Sequence, residues 1–245
     1  MANFDYNSNG YINKAEAASV TSLGTVFKGN TEITSFDELQ YFTRVTKLGT
    51  QEFSDNQSTF KGCVNLTSVA LPDSVKQINY QVFANCSSLS FVNLENQNLE
   101  SIWLGAFLNC TSLSGEVDLP NLKYLGVSAF ASTGITKVKS LGNITSIVGG
   151  WGANEGVFYN CVNLSFVRLP KTLTSIGVQT FCNCSSLRTL VVESETPPTL
   201  GGNCLGGTNS GLLIYVPDNS LDTYKTTDGW VSYADKIKPL SGYVE

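Results

Sequence analysis

Residues Asp5 to Glu16 read Asp-Tyr-Asn-Ser-Asn-Gly-Tyr-Ile-Asn-Lys-Ala-Glu. They place oxygen ligands at the spacing of a calcium-binding loop, D-x-[DN]-x-[DN]-G-x5-E, at every fixed position. Asp5, Asn7 and Asn9 would offer side-chain oxygens, and Gly10 would permit the sharp turn. Tyr11 would offer its backbone carbonyl, Asn13 would act through a water, and Glu16 would close the shell with two oxygens. Only two of these ligands are carboxylates, so the expected affinity is loose, on the order of 10⁻⁴–10⁻³ M. The same residues admit a plainer reading. Asn13 can cap a helix, with Glu16 as its capping-box partner, although that leaves Asp5, Asn7, Asn9 and Gly10 without a common purpose.

Catalytic material is scarce. The chain contains no histidine. This removes the most usual general base, the usual zinc ligand and the Ser–His or Cys–His nucleophile pairs. Cys182, Cys184 and Cys204 lie near one another in sequence but lack a second metal-binding pair. Glu116 and Asp118 could pair as glycosidase carboxylates, but they lie two residues apart on one strand. The chain therefore reads as a non-enzyme. The net charge is −5 with no block of like charge, which argues against nucleic-acid binding. No run of 18 or more apolar residues is present, so no membrane-spanning helix is expected.

What must position these residues is a repeat. Phe60, Phe83, Phe107, Phe130, Phe158 and Phe181 are spaced by 23, 24, 23, 28 and 23 residues. A cysteine follows three residues later in five of the six units, at Cys63, Cys86, Cys110, Cys161 and Cys184, and Thr133 takes its place in the fourth. A strand-like L-x-x-V-x-L comes next, as at Leu66, Val69 and Leu71, and then a second apolar pair such as Val75 and Ile78. One such unit cannot close a core, but stacked units bury the Phe, Cys and Leu columns against the next coil. Five of the seven cysteines follow this register, so most are expected as buried free thiols. The expected fold is a β-rich, right-handed solenoid of about six units, each of roughly 23 residues. Residues 1–20 hold the calcium-loop segment, 21–59 an N-terminal cap without a clean repeat, 60–196 the repeats, and 197–245 a C-terminal cap. In that cap "GLLIYVP" reads as a strand, and the segment after it as one helix with Ser220 as its N-cap and Pro239 beyond its end. Extra residues break the fourth unit around Trp151.

The motif F-x-x-C-x-x-L-x-x-V-x-L-P, the lead-in "EITSFDELQYFTRVTKL" and the closing "IYVPDNSLDTYKTTDGWVSYADKIKPL" resemble the BspA-like leucine-rich repeat family of bacterial surface proteins. The resemblance covers roughly residues 31–245. It implies a secreted or surface-attached bacterial protein engaged in adhesion or host contact, with no shared catalytic site. The opening residues carry neither a basic start nor an apolar stretch, so export would mean a signal peptide already removed.

Along each strand the residues between the apolar ones should face outward. This puts Phe91, Glu116, Lys137, Phe166 and Arg168 on one exposed strip. Aromatic residues and arginine are favoured at binding hot spots, so this strip is the expected contact surface for an extracellular protein or glycan. The alternative class is a structural spacer, or a piece of a larger appendage or virion, with no ligand of its own.

Overall fold

The computed structural model describes residues 4–50, 58–94, 98–150, 152 and 154–244. The chain is a parallel β-solenoid of about seven turns. Each turn contributes two short strands, and within each sheet a strand pairs with its counterpart in the next turn, because a coil of about 23 residues returns the chain to the same corner one strand spacing on. On one side, Ser35–Phe36 (β1), Ser68–Val69 (β3) and Phe91–Val92 (β5) form a three-stranded parallel sheet. The same side continues as a six-stranded parallel sheet. It runs through Ser114–Asp118 (β7), Gly134–Ser140 (β9), Phe166–Leu169 (β11), Thr189–Val192 (β13), Leu213–Val216 (β15) and Ile237–Pro239 (β16). A second side carries Lys47–Leu48 (β2), Gln77–Ile78 (β4), Ser101–Ile102 (β6) and Tyr124–Leu125 (β8). Further along that side are Ser146–Ile147 (β10), Ser175–Ile176 (β12) and Thr199–Leu200 (β14).

The phenylalanines that set the period form a continuous stack inside the coil. From Phe60 through Phe83, Phe107, Phe130 and Phe158 to Phe181, successive ring centroids lie 5.3, 5.2, 5.2, 5.7 and 5.6 Å apart and almost parallel. All six rings are fully buried. The wider spacings flank Phe158, the ring that follows the inserted residues of the fourth unit. Trp151, in that insertion, lies outside the described residues. The stack reaches one turn further than the 23-residue spacing indicates. Phe27 stacks on Phe60 at 5.2 Å, and β1 pairs with β3 through Ser35–Ser68 and Phe36–Val69. The segment 21–59 thus carries a turn of the solenoid.

The cysteine column does more than fill space. Each thiol donates a hydrogen bond to the carbonyl of the phenylalanine one turn earlier: Cys63 to Phe27, Cys86 to Phe60, Cys110 to Phe83, Cys161 to Phe130 and Cys184 to Phe158, at 2.9–3.1 Å. Thr133 instead donates to the carbonyl of Phe130 in its own turn, at 2.8 Å. All seven cysteines are free and buried. Burial pushes the Cys161 thiol up to about 11 and the Cys204 thiol up to about 12. They are therefore poor nucleophiles at neutral pH.

The last turn is closed differently from the sequence expectation. Residues 221–238 do not form one helix. The helix Leu221–Thr226 (α2) is short, a 3-10 helix covers Val231–Lys236, and β16 follows directly. Two local features end the helix. The hydroxyls of Thr226 and Thr227 bond backward to the carbonyls of Asp222 and Thr223, which competes with helix continuation. Gly229 then adopts φ +82, a conformation that ends the helix. Ser220 is buried and its side chain caps nothing. Pro239 belongs to the edge strand, where a missing N–H is harmless. The plug itself is aromatic. Tyr224 and Trp230 are fully buried and meet edge to face at 5.0 Å. Their polar ends are satisfied by the carbonyls of Ser194 and Pro198.

Candidate functional site

The outward residues of the strand side fall into two register rows. In the first row Glu116 aligns with Lys137, Lys137 with Phe166, Phe166 with Thr189, and Thr189 with Leu213. In the second, Arg168 aligns with Val191, Val191 with Tyr215, and Tyr215 with Lys238. Four of the five residues expected to share a strip, Glu116, Lys137, Phe166 and Arg168, are therefore on one sheet. Phe91 belongs to the neighbouring three-stranded sheet, aligned with Ser68, and is 52% exposed.

Charge on the face is largely self-paired. Glu116 lies 3.0 Å from the Lys137 ammonium and also pairs with Lys139. The two lysines hold its carboxyl below the usual carboxylate range, the Lys139 contact most of all. A general acid needs the opposite shift, so Glu116 does not have the electrostatics of that role. Bulges at Gly115/Glu116 and Val117/Asp118 align Asp118 with Ser140 rather than with Lys139. Arg168 pairs with Glu193 at 2.9 Å.

The lower end of the face is partly covered by the chain's own C-terminal tail. The ring of Tyr243 lies 6.0 Å from that of Phe166 and 5.1 Å from that of Tyr215. The Arg168 guanidinium is 5.9 Å from the centroids of both Phe166 and Tyr243. This cover corrects one expectation. Val191 stands on the outward register, where alternation makes it exposed, yet it is fully buried. Its two neighbours in the row, Arg168 and Tyr215, both meet Tyr243, so it is enclosed beneath them. Phe166 and Arg168 are half-buried for the same reason. Tyr215 was within reach of sequence reasoning, since "GLLIYVP" continues the alternation by one more turn. Tyr243 and Glu193 carry no such signal.

The N-terminal loop is closed on itself. Asp5 accepts the N–H groups of Asn9 and Gly10, Asn7 that of Asn9, and Asn9 that of Tyr11, at 2.8–3.2 Å. Glu16 reaches back across the loop: one oxygen accepts from Asn7 and the other from Asn13, at 3.1 and 3.0 Å. Asn13 caps the helix Lys14–Ser19 (α1) in a full capping box. Among the described residues no three His, Cys, Asp or Glu side chains gather at one point. A cation here would depend on amides and carbonyls beside Asp5 and Glu16. Between this loop and the first solenoid turn lies a cleft of about 740 Å³. Ile12, Phe27, Phe36, Tyr41 and Phe42 line it, with Lys14 over the Tyr41 ring at 4.4 Å.

Among the described residues no helix is long and apolar enough to cross a membrane. No curated protein matches the chain. A leucine-rich repeat protein from Bacteroides ovatus, known from its crystal structure, is 20% identical, with a TM-score of 0.42. The match covers 80% of this chain, which spans 58% of that protein's length. The model of the BspA type leucine-rich repeat region matches residues 27–150 and 153–225 in six copies. It thus takes in the phenylalanine stack from Phe27 onward, and the chain belongs to the BspA-type leucine-rich repeat family.

Proposed function

We propose that this chain is a non-enzymatic binding module of a secreted or cell-surface bacterial protein, and that it engages a protein or glycan partner in adhesion through the strand side. The observation that carries this reading is the single row Glu116–Lys137–Phe166–Thr189–Leu213, with Arg168 beside it. Side chains distant in sequence form a charged and aromatic strip on a rigid sheet, which fixes their relative positions before any partner arrives. Phe91, half exposed on the adjoining sheet, extends the strip. Covering its exposed half would contribute about 1–1.5 kcal/mol. The test is an array of glycans and extracellular proteins probed with the wild type and with a Phe91→Ala/Phe166→Ala/Arg168→Ala variant. The variant should lose the ligands that the wild type retains. A variant that keeps all of them removes the strand side from consideration, and the aromatic cleft beside Tyr41 becomes the place to test.

We also propose that the Asp5–Glu16 loop binds one calcium ion. Support comes from the closing role of Glu16, whose two oxygens already draw the start and end of the loop together. Calorimetric titration with calcium chloride should return one site with a dissociation constant on the order of 10⁻⁴–10⁻³ M. Glu16→Gln should abolish it, since it removes one of only two carboxylate ligands. The same titration curve in that variant would reduce the segment to a helix start.

A further inference from the structure

We propose that Phe166, Arg168 and Tyr215 form a receptor site for a tyrosine side chain carried on an extended peptide segment, and that the chain's own Tyr243 occupies this site in cis. The inference rests on the reading that the strand side binds a partner, and it names the chemistry of that partner at one point on the strip.

Three features make the site a cradle rather than a chance contact. First, its walls stand on two strands of one rigid sheet. Phe166 and Arg168 are on β11 and Tyr215 is on β15, with β13 between them. Second, the wall geometry suits an aromatic ring. Phe166 stacks on Tyr243 at an interplanar angle of 28°, and Tyr215 meets it at 58°. A guanidinium over an aromatic face adds electrostatic attraction to the ring. Third, Arg168 is held in place by Glu193, so little side-chain freedom remains to be lost when a ring arrives. A second contact sets the direction of the bound segment. The N–H and the hydroxyl of Ser241 both donate to Asp218, the N–H at 2.9 Å. The recognised pattern is therefore a donor residue followed two positions later by the ring, as in Ser241-Gly242-Tyr243.

The occupant is weakly retained. Val244, immediately after the ring, is 88% exposed, and Ser241 and Gly242 are exposed. The tail is joined to β16 by a single 3-10 turn at Leu240–Gly242. One ring and one Asp–Ser contact are the kind of local structure that opens without global unfolding. Because the tail is tethered, an incoming segment competes against an effective concentration in the millimolar range. Emptying the cradle should therefore raise the affinity for a peptide in trans without altering the solenoid.

The probe is the synthetic octapeptide Lys-Pro-Leu-Ser-Gly-Tyr-Val-Glu, which reproduces residues 238–245. Binding is measured by calorimetry to the full chain and to its Tyr243→Ser variant. The variant should bind the peptide at least tenfold more tightly than the wild type does. Adding Arg168→Ala to Tyr243→Ser should remove binding, and so should replacing the peptide's tyrosine with serine. Equal uptake by wild type and Tyr243→Ser, or no uptake by either at millimolar peptide, would overturn the proposal. So would binding of maltohexaose, but not the peptide, by Tyr243→Ser, since the cradle would then serve a sugar ring. The array ligands separate this failure from that of the broader reading. If the peptide does not bind while the Phe91/Phe166/Arg168 variant still loses the array ligands, the strand side stands as the binding surface and only the tyrosine assignment falls.

Discussion

Phe107→Ala should destabilise the protein by about 3–5 kcal/mol, the range for removing a large buried aromatic ring. Phe107 is fully buried, with a parallel ring 5.2 Å away on each side. Its loss leaves a cavity between two neighbours that the backbone ladder holds at fixed height, so the site cannot collapse to fill it. For a chain of this size about 1 kcal/mol corresponds to roughly 2–4 °C, which places the fall in melting temperature at about 6–20 °C. Each repeat touches only its neighbours, so the effect should be graded along the stack. Phe27, at the end and only partly buried, should cost less when truncated. Phe91→Ala is the matched exposed control and should stay within about ±0.5 kcal/mol. A thermal melt in which Phe107→Ala behaves like Phe91→Ala would mean that the ring stack does not hold the coil together.

Gly177→Ala should be the second large effect, at about 3 kcal/mol, the upper part of the usual range for overpacking. The cause is not backbone conformation but proximity. A Cβ at Gly177 would lie 2.1 Å from the amide nitrogen of Gly149 and 2.4 Å from its Cα, one turn away. Gly201, one turn further on, is equally tight, with a Cβ 2.3 Å from the nitrogen of Val178. The three glycines form a column where successive turns touch backbone to backbone, so no flexible side chain can move aside. Adjacent turns would have to part by about 1 Å, against the fixed spacing of the strand ladder. Gly202, next to Gly201 in sequence, has nothing within 4 Å of an added Cβ. Gly202→Ala should therefore leave the melting temperature unchanged. Equal effects at Gly177 and Gly202 would contradict the close approach.

The phenylalanine and cysteine columns were legible because their period survives in the sequence. One period of 23 residues returns one side chain to one corner of the coil, and the buried column follows directly. Phe27 escaped that reading because 33 residues separate it from Phe60, so the first turn hides its register behind extra residues. The C-terminal segment misleads for a different reason. Its composition permits a helix, but Thr226, Thr227 and Gly229 end it early, and the remainder serves the tertiary fold: β16 pairs the open edge of β15, and Tyr224 and Trp230 plug the core. On the strand side, simple alternation placed Glu116, Lys137 and Phe166 correctly, since register there follows the pleat. It failed at Val191 because the covering ring comes from Tyr243, 77 residues after Phe166. No local pattern encodes a contact at that separation.

If the outward strand rows are a binding surface on a rigid support, a bound ligand must leave faster when their anchors are removed. The most direct measurement is the dissociation rate of a ligand retained on the array, compared between the wild type and a Phe166→Ala/Arg168→Ala variant of matched melting temperature. Loss of interface anchors acts mainly on dissociation, and two anchors together should raise that rate at least tenfold, with association nearly unchanged. An unaltered dissociation rate in a variant that melts at the wild-type temperature would contradict the account.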